Sequence, residues 1–292
     1  MFRSFLLLLK DAFIQWQANR APKMGAALSF YAVFSLAPLA ILLMSLVSFV
    51  VGRDAARAEL VGRFKEFVGN EGAQVLEMIL AKTVPANSSL LGTIVGFVVM
   101  FVGASGVFGE LQSSLNQIWN VTPKHHPLLV IIKEHIFSFL MVLFLGVLML
   151  ISFLLSATSA AAGSFFHERF PELDGPWEAG NALISLFVIA ILFALIFRIV
   201  PDTIVEWKDV WLGSILTSVF FVLGKFILGF YFGRSAVASS YGAAGSLIIL
   251  LVWIFYSAQI LFFGAEFTRA FATRFGSQRK RKASTECGER PI

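Results

Sequence analysis

Charge is scarce in this sequence. Asp, Glu, Lys and Arg make up only 14% of its 292 residues, against roughly a quarter in an ordinary soluble domain. Cysteine is scarcer still: Cys287 stands alone, which excludes an intrachain disulfide and any cysteine cluster for a metal. Also missing are a Gly-Lys-Ser or Gly-Lys-Thr phosphate loop, a serine elbow and a zinc-protease histidine pair, so the chain itself shows no ATPase motor. The four histidines, His125, His126, His135 and His167, have no recognised metal spacing, and metal-dependent hydrolysis needs clustered ligands around an activated water. The expectation is a non-enzymatic protein with no metal and no cofactor.

What is present is apolar. The chain is 58% hydrophobic, and runs without a charge cover 24–52, 83–109, 136–166, 179–197 and 235–265. Each reaches the ~18 residues that a spanning helix requires. A sixth run, 210–233, is interrupted only by Lys225. Six such segments in a soluble helical protein would leave it almost nothing to show to water. The expected fold is therefore all-α, a polytopic membrane protein with six transmembrane helices. One integral membrane domain fills 1–275, and 276–292 form a basic, disordered tail.

Charge between the runs sets the orientation. Arg3, Lys10, Arg20 and Lys23, then Lys124 and Lys133, then Arg269, Arg274 and Arg279 to Lys282 fall on one side, which the positive-inside rule makes cytoplasmic. The opposite loops are richer in acids, with Asp54, Glu59, Glu66, Glu71 and Glu77 in one and Glu168, Glu172, Asp174 and Glu178 in the other. Both termini are thus expected in the cytoplasm. The basic tail is explained by topology and by attraction to anionic lipid. It lacks the interleaved aromatics of a single-strand nucleic-acid binder, so no nucleic acid is expected as a partner.

Two segments outside the spans carry helical periodicity. Phe2, Phe5, Leu6, Leu9, Phe13 and Trp16 recur at helical spacing, which predicts an N-terminal interfacial helix lying in the plane of the inner surface. In the first outer loop, Leu60, Val61, Phe64 and Phe67 form one apolar stripe and Val75, Leu76 and Ile79 another, with "GNEG" between them. Two short amphipathic helices are predicted there, as a lid or an interfacial collar. Pro38 is expected to bend the first span. Gly92 and Gly96, then Gly103, Ser105, Gly106 and Gly109, mark a second span built for close helix approach.

The polar residues inside the spans are the functional candidates. A charge near the bilayer centre costs at least ~2.5 kcal/mol, and Lys225 sits about eight residues, or ~12 Å, from the outer end of its span. Ser214, Thr217, Ser218 and Phe221 precede it along one stripe; that stripe faces the bundle, or else Lys225 snorkels on the lipid side. Tyr256 and Gln259 share a face of the last span, and with Tyr31 and Lys225 they form the expected substrate-binding set. Glu110, Arg198, Glu266 and Arg269 all fall at inner span ends, where they are expected to form an ionic cluster, as a clamp or a gate.

Taken together, "AALSFYAVFSLAPLAILLMSL" (26–46), "GASGVFGELQSSLNQIWNV" (103–121), "FRIVPD" (197–202), "WLGSILTSVFFVLGKFILGFYF" (211–232) and "SSYGAAGSLIILLVWIFYSAQILFFGAEFTR" (239–269) resemble the YihY/BrkB family of bacterial inner-membrane proteins. The resemblance runs over roughly 10–275. It implies six spans with cytoplasmic ends; a ribonuclease BN label once attached to members is regarded as mistaken, and transport of lipids or other envelope components has been suggested. Two functions are carried forward. One is a transporter or flippase-like protein for an anionic lipid or other amphipathic envelope component. The other is a scaffold holding envelope proteins, with membrane lipids as its surroundings only.

Overall fold

The computed structural model describes residues 2–82, 106–121, 174–203, 205–234 and 243–278. Within them every regular element is a helix: α1 (Phe2–Ala18), α2 (Ala21–Val51), α3 (Arg53–Lys82), α4 (106–118), α5 (Asp174–Ile199), α6 (Trp207–Arg234) and α7 (Ala243–Arg274). α7 is the central post, in contact with α1, α2, α3 and α6, while α5 packs along α6.

Two helices, Trp207–Tyr231 and Gly245–Arg274, are long and apolar enough to cross a membrane. α2 counts as a third when its two halves, Ala21–Ala37 and Leu39–Phe49, which meet at a 47° bend, are taken as one span. That bend falls at Pro38, as the sequence predicts, because proline has no amide hydrogen to complete the helical ladder. Leu183–Ile199 is apolar but shorter. The run at 136–166 lies outside the described residues, as does 83–105 of the second run. Six spans are therefore not reached among the described residues.

Each helix boundary has a local cause. The chain leaves α1 through Arg20, held in the left-handed region at φ 55°, and re-enters helix with Pro22 in the first turn of α2, where a missing amide hydrogen costs nothing. Gly52, at φ 84°, separates α2 from α3. Gly69, at φ 87° and ψ −176°, breaks α3 in two, at the first residue of "GNEG", so the predicted helix pair is present. Neither half floats free. Leu76 and Leu80 pack with Ala40 of α2, and Phe64 and Val75 lie against Leu250 and Trp253 of α7. The pair is wedged into the bundle side and is more than a surface collar.

The main core sits at the opposite end. Met24 and Leu28 of α2, Leu115 and Ile118 of α4, Phe197 of α5 and Phe262 of α7 belong to one buried cluster. α6 and α7 approach closely there through a reciprocal pairing. A Cβ on Gly213 would collide with the hydroxyl of Thr268, and one on Gly264 with that of Thr217. Each threonine hydroxyl donates back into its own helix, Thr217 to the Gly213 carbonyl at 2.6 Å and Thr268 to the Gly264 carbonyl at 2.8 Å. Small residues let the backbones meet, and the hydroxyls are satisfied without water.

Candidate functional site

The helix ends near the α1–α2 turn carry a layer of polar contacts. Glu266 is 1% exposed, and a carboxylate so buried needs partners. Asn19 Nδ2 donates to its Oε1 at 2.5 Å, and Arg269 Nη1 lies 3.9 Å from Oε2. Gln117 Nε2 donates to the Asn19 carbonyl at 3.2 Å, which joins α4, the α1–α2 turn and α7. Asp202, just past α5, accepts from Gln112 Nε2 at 3.1 Å and Asn116 Nδ2 at 2.9 Å, and its own amide donates to Asn116 Oδ1 at 2.8 Å. Buried Asp209 accepts from the Ser277 amide at 3.0 Å and hydroxyl at 2.6 Å. Arg274 pairs with Asp11 of α1.

Of the expected inner cluster, Glu266 and Arg269 meet, and the other two residues go elsewhere. Arg198 Nη1 donates to the Val205 carbonyl at 2.8 Å, and its guanidinium lies 4.6 Å from the centre of the Trp207 ring. It closes the α5–α6 turn on itself by a hydrogen bond and a cation–π contact. Glu110 instead faces a cavity. Sequence reasoning missed Asn19, Asn116 and Asp202, although Gln112 and Asn116, four apart on one helix face, were the available signal.

The cavity occupies about 460 Å³ and is lined by Arg20, Lys23 and Ala27 at the start of α2, Asn19 before it, and Glu110 and Gln117 of α4. It holds two cations and one carboxylate, yet among the described residues no hydrogen bond or ion pair joins the side chains of Arg20, Lys23 and Glu110. Its wall continues into apolar surface. Counting along α2 from Lys23 and Ala27, the same helix face reaches Phe30, Tyr31 and Phe34, which are 58%, 42% and 67% exposed. The Phe30 ring lies 5.8 Å from Tyr31 and 4.7 Å from Phe34, centre to centre. Tyr31 leans on α4 at Gly106, where a Cβ would come within 3.1 Å of its ring. A polar chamber and an aromatic track thus share the α2–α4 seam.

The other expected substrate residues lie across α7 from this seam. Tyr256 packs over Gly224, next to Lys225 in α6, and Gln259 packs over Gly25 of α2. Ser214, Thr217 and Ser218 are fully buried, as the bundle-facing stripe requires, and Lys225 further along it is half-buried. Gln259 also borders a second cavity, about 260 Å³, with Phe13, Trp16, Phe220, Ile260 and Phe263. Both amide atoms of Gln259 and the indole nitrogen of Trp16 are buried there, with no hydrogen-bond partner among the described residues. Tyr31 therefore belongs to one seam, Gln259 to another, and Tyr256 with the Lys225 segment to the α6–α7 contact. Among the described residues no group of three or more His, Cys, Asp or Glu comes together as a metal site.

A chain whose described elements are all helices, with spans of this length and apolar side chains on its outer faces, is an integral membrane protein. Phe226, Ile227 and Phe230 of α6 are all more than 60% exposed, a cost in water and none in lipid. The model of the family described as Virulence factor BrkB matches residues 12–287, and the chain belongs to that family. It is 30% identical over 208 residues to a UPF0761 membrane protein of Glaesserella parasuis, covering 70% of this chain and 68% of the relative. To a UPF0761 membrane protein of Actinobacillus pleuropneumoniae it is 27% identical over 269 residues, covering 90% and 92%. A Chromobacterium violaceum relative of the same name is 27% identical over 265 residues, and there the chain spans only 61% of the relative's length. No solved structure matches.

Proposed function

We propose that this protein is a non-catalytic, six-span protein of the bacterial inner membrane, with both termini cytoplasmic, that binds an amphipathic envelope lipid and moves it within or across the bilayer. One observation carries the reading: a charged cavity and an exposed aromatic track lie along the same face of α2. Arg20 and Lys23 supply the cationic groups that a lipid phosphate requires. Phe30, Tyr31 and Phe34 supply apolar surface where acyl chains would lie. From Lys23 to Phe34 is eleven residues, or ~16 Å of helix, a length suited to a fatty acyl chain. A scaffold could share the outer surface but has no need of unpaired charges facing a chamber.

Lys225 provides a second polar station in this reading, deeper in the bilayer, with Tyr256 and Gln259 on the neighbouring helix. The test is reconstitution in vesicles carrying labelled phospholipids, comparing transbilayer movement for the wild type, Arg20→Gln with Lys23→Gln, and Lys225→Leu. Movement that falls in the variants at unchanged membrane abundance supports the reading. Wild-type vesicles that move and bind no lipid across a broad panel would leave the scaffold.

A further inference from the structure

Glu110 makes the α2–α4 cavity an odd place for a simple anion. We infer that the cavity recognises a phospholipid headgroup that carries a primary ammonium beside its phosphodiester, an inference that rests on the lipid-binding reading above and names the class of headgroup. Arg20 and Lys23 line the cavity with Glu110 in a space of about 460 Å³, so a headgroup that fills it meets charges of both signs. Arg20 and Lys23 are exposed and Glu110 is half-buried, and an anion held by the two cations is repelled by the carboxylate beside them. A ligand with both signs resolves this: its phosphate oxygens accept from Arg20 and Lys23, and its ammonium donates to Glu110.

The positions of these three groups support the assignment. Arg20 caps α2 and Lys23 sits on its first turn, while the carboxylate is on α4, so the two signs come from different elements. None is neutralised by another described side chain, which leaves each with hydrogen-bonding capacity for a ligand. The backbone around them is fixed: Asn19 is tied to Glu266 and to Gln117, and Tyr31 rests at Gly106, one helical turn from Glu110. Preorganised charges of both signs favour the one ligand that complements both and penalise ligands that complement only one. A trimethylammonium headgroup has the right signs but no N–H to donate, so it should bind less well than a primary amine.

The test uses the full chain in detergent, exposed to an equimolar mixture of phosphatidylethanolamine, phosphatidylglycerol and phosphatidylcholine with identical acyl chains, followed by quantification of the lipids retained. The wild type is expected to retain the ethanolamine lipid roughly tenfold over either competitor, the scale of one charge-assisted hydrogen bond. Glu110→Gln should invert the order in favour of phosphatidylglycerol, since it removes both the ammonium partner and the repulsion. Arg20→Gln with Lys23→Gln should reduce retention of all three. Glycerophosphoethanolamine, the same headgroup without acyl chains, should compete only weakly; competition as strong as the lipid's would overturn the assignment to a lipid. A wild type that retains phosphatidylglycerol as well as or better than phosphatidylethanolamine overturns the headgroup inference and leaves lipid binding standing. A wild type that retains none of the three overturns both. The wild-type ranking does not depend on any variant folding.

Discussion

Asn116 and Asp202 hold each other by two hydrogen bonds running in opposite directions. The Asn116 amide nitrogen donates to the Asp202 carboxylate at 2.9 Å, and the Asp202 backbone amide donates to the Asn116 side-chain oxygen at 2.8 Å. This fixes the segment after α5 to α4, on a face turned away from the one that carries Glu110 and Gln117. Asn116→Ala and Asp202→Ala are each expected to lower stability by ~1–3 kcal/mol, the usual cost of stranding hydrogen-bonding groups. In a double-mutant cycle the two losses should fall well short of adding. Strict additivity in detergent unfolding would mean that the pair contributes nothing as a pair.

Close approach of α6 and α7 gives a second expectation. Gly213→Ala places a methyl group on the Thr268 hydroxyl, and overpacking of this kind costs ~1–3 kcal/mol. Adding Thr268→Ala removes the hydroxyl and should recover part of the loss, the Thr268 Cβ at 3.0 Å and the Gly264 carbonyl oxygen at 3.3 Å staying close to the new methyl. If Gly213→Ala leaves the unfolding midpoint where it was, the helices are not in contact at that point.

Arg198 and Glu266 are expected to behave independently. Glu266→Ala removes the acceptor of the part-buried Asn19 amide and should destabilise by ~1–3 kcal/mol, the cost of an unmet hydrogen-bonding group. Glu266→Gln keeps an acceptor for Asn19 and should cost less. Arg198→Ala should destabilise through its lost contacts with Val205 and Trp207, additively with either. Coupling above ~0.5 kcal/mol between positions 198 and 266 would restore the four-residue ionic cluster read from the sequence.

Orientation can be checked directly. Reporters fused before Met1 and after Ile292 should both register cytoplasm, and labels placed within 54–82 should be reached from outside. One terminus outside would contradict the six-span arrangement.

Much of the scaffold was legible in the sequence because it follows from local chemistry. Uncharged runs mark α2, α5 and α7, and a run broken only by Lys225 marks α6; Pro38 marks the bend; "GNEG" marks the break in α3; and the period of Phe13 and Trp16 marks α1. The site was less legible, because it depends on which helix ends meet. Glu266 was identified as an inner charge, but its closest partner is Asn19, 247 residues away. Long-range pairing of that kind leaves no local periodicity. Arg198 was assigned to a carboxylate on charge alone, whereas the nearby Val205 carbonyl and Trp207 ring satisfy it within its own turn. Arg20 and Lys23 were read only as topology signals; their place in one cavity with Glu110 depends on how α4 packs against α2.

The central claim is that a lipid occupies the α2–α4 seam with its headgroup at Arg20, Lys23 and Glu110 and a chain along Phe30, Tyr31 and Phe34. Photo-crosslinking with a phosphatidylethanolamine carrying a photoactivatable group near the middle of one acyl chain, followed by peptide mapping, tests it most directly. The account expects label concentrated on the peptide containing Phe30 to Phe34 and lost when Arg20 and Lys23 are both changed to Gln. Label spread evenly over exposed apolar positions such as Phe226 and Ile227, and indifferent to those two substitutions, would contradict it.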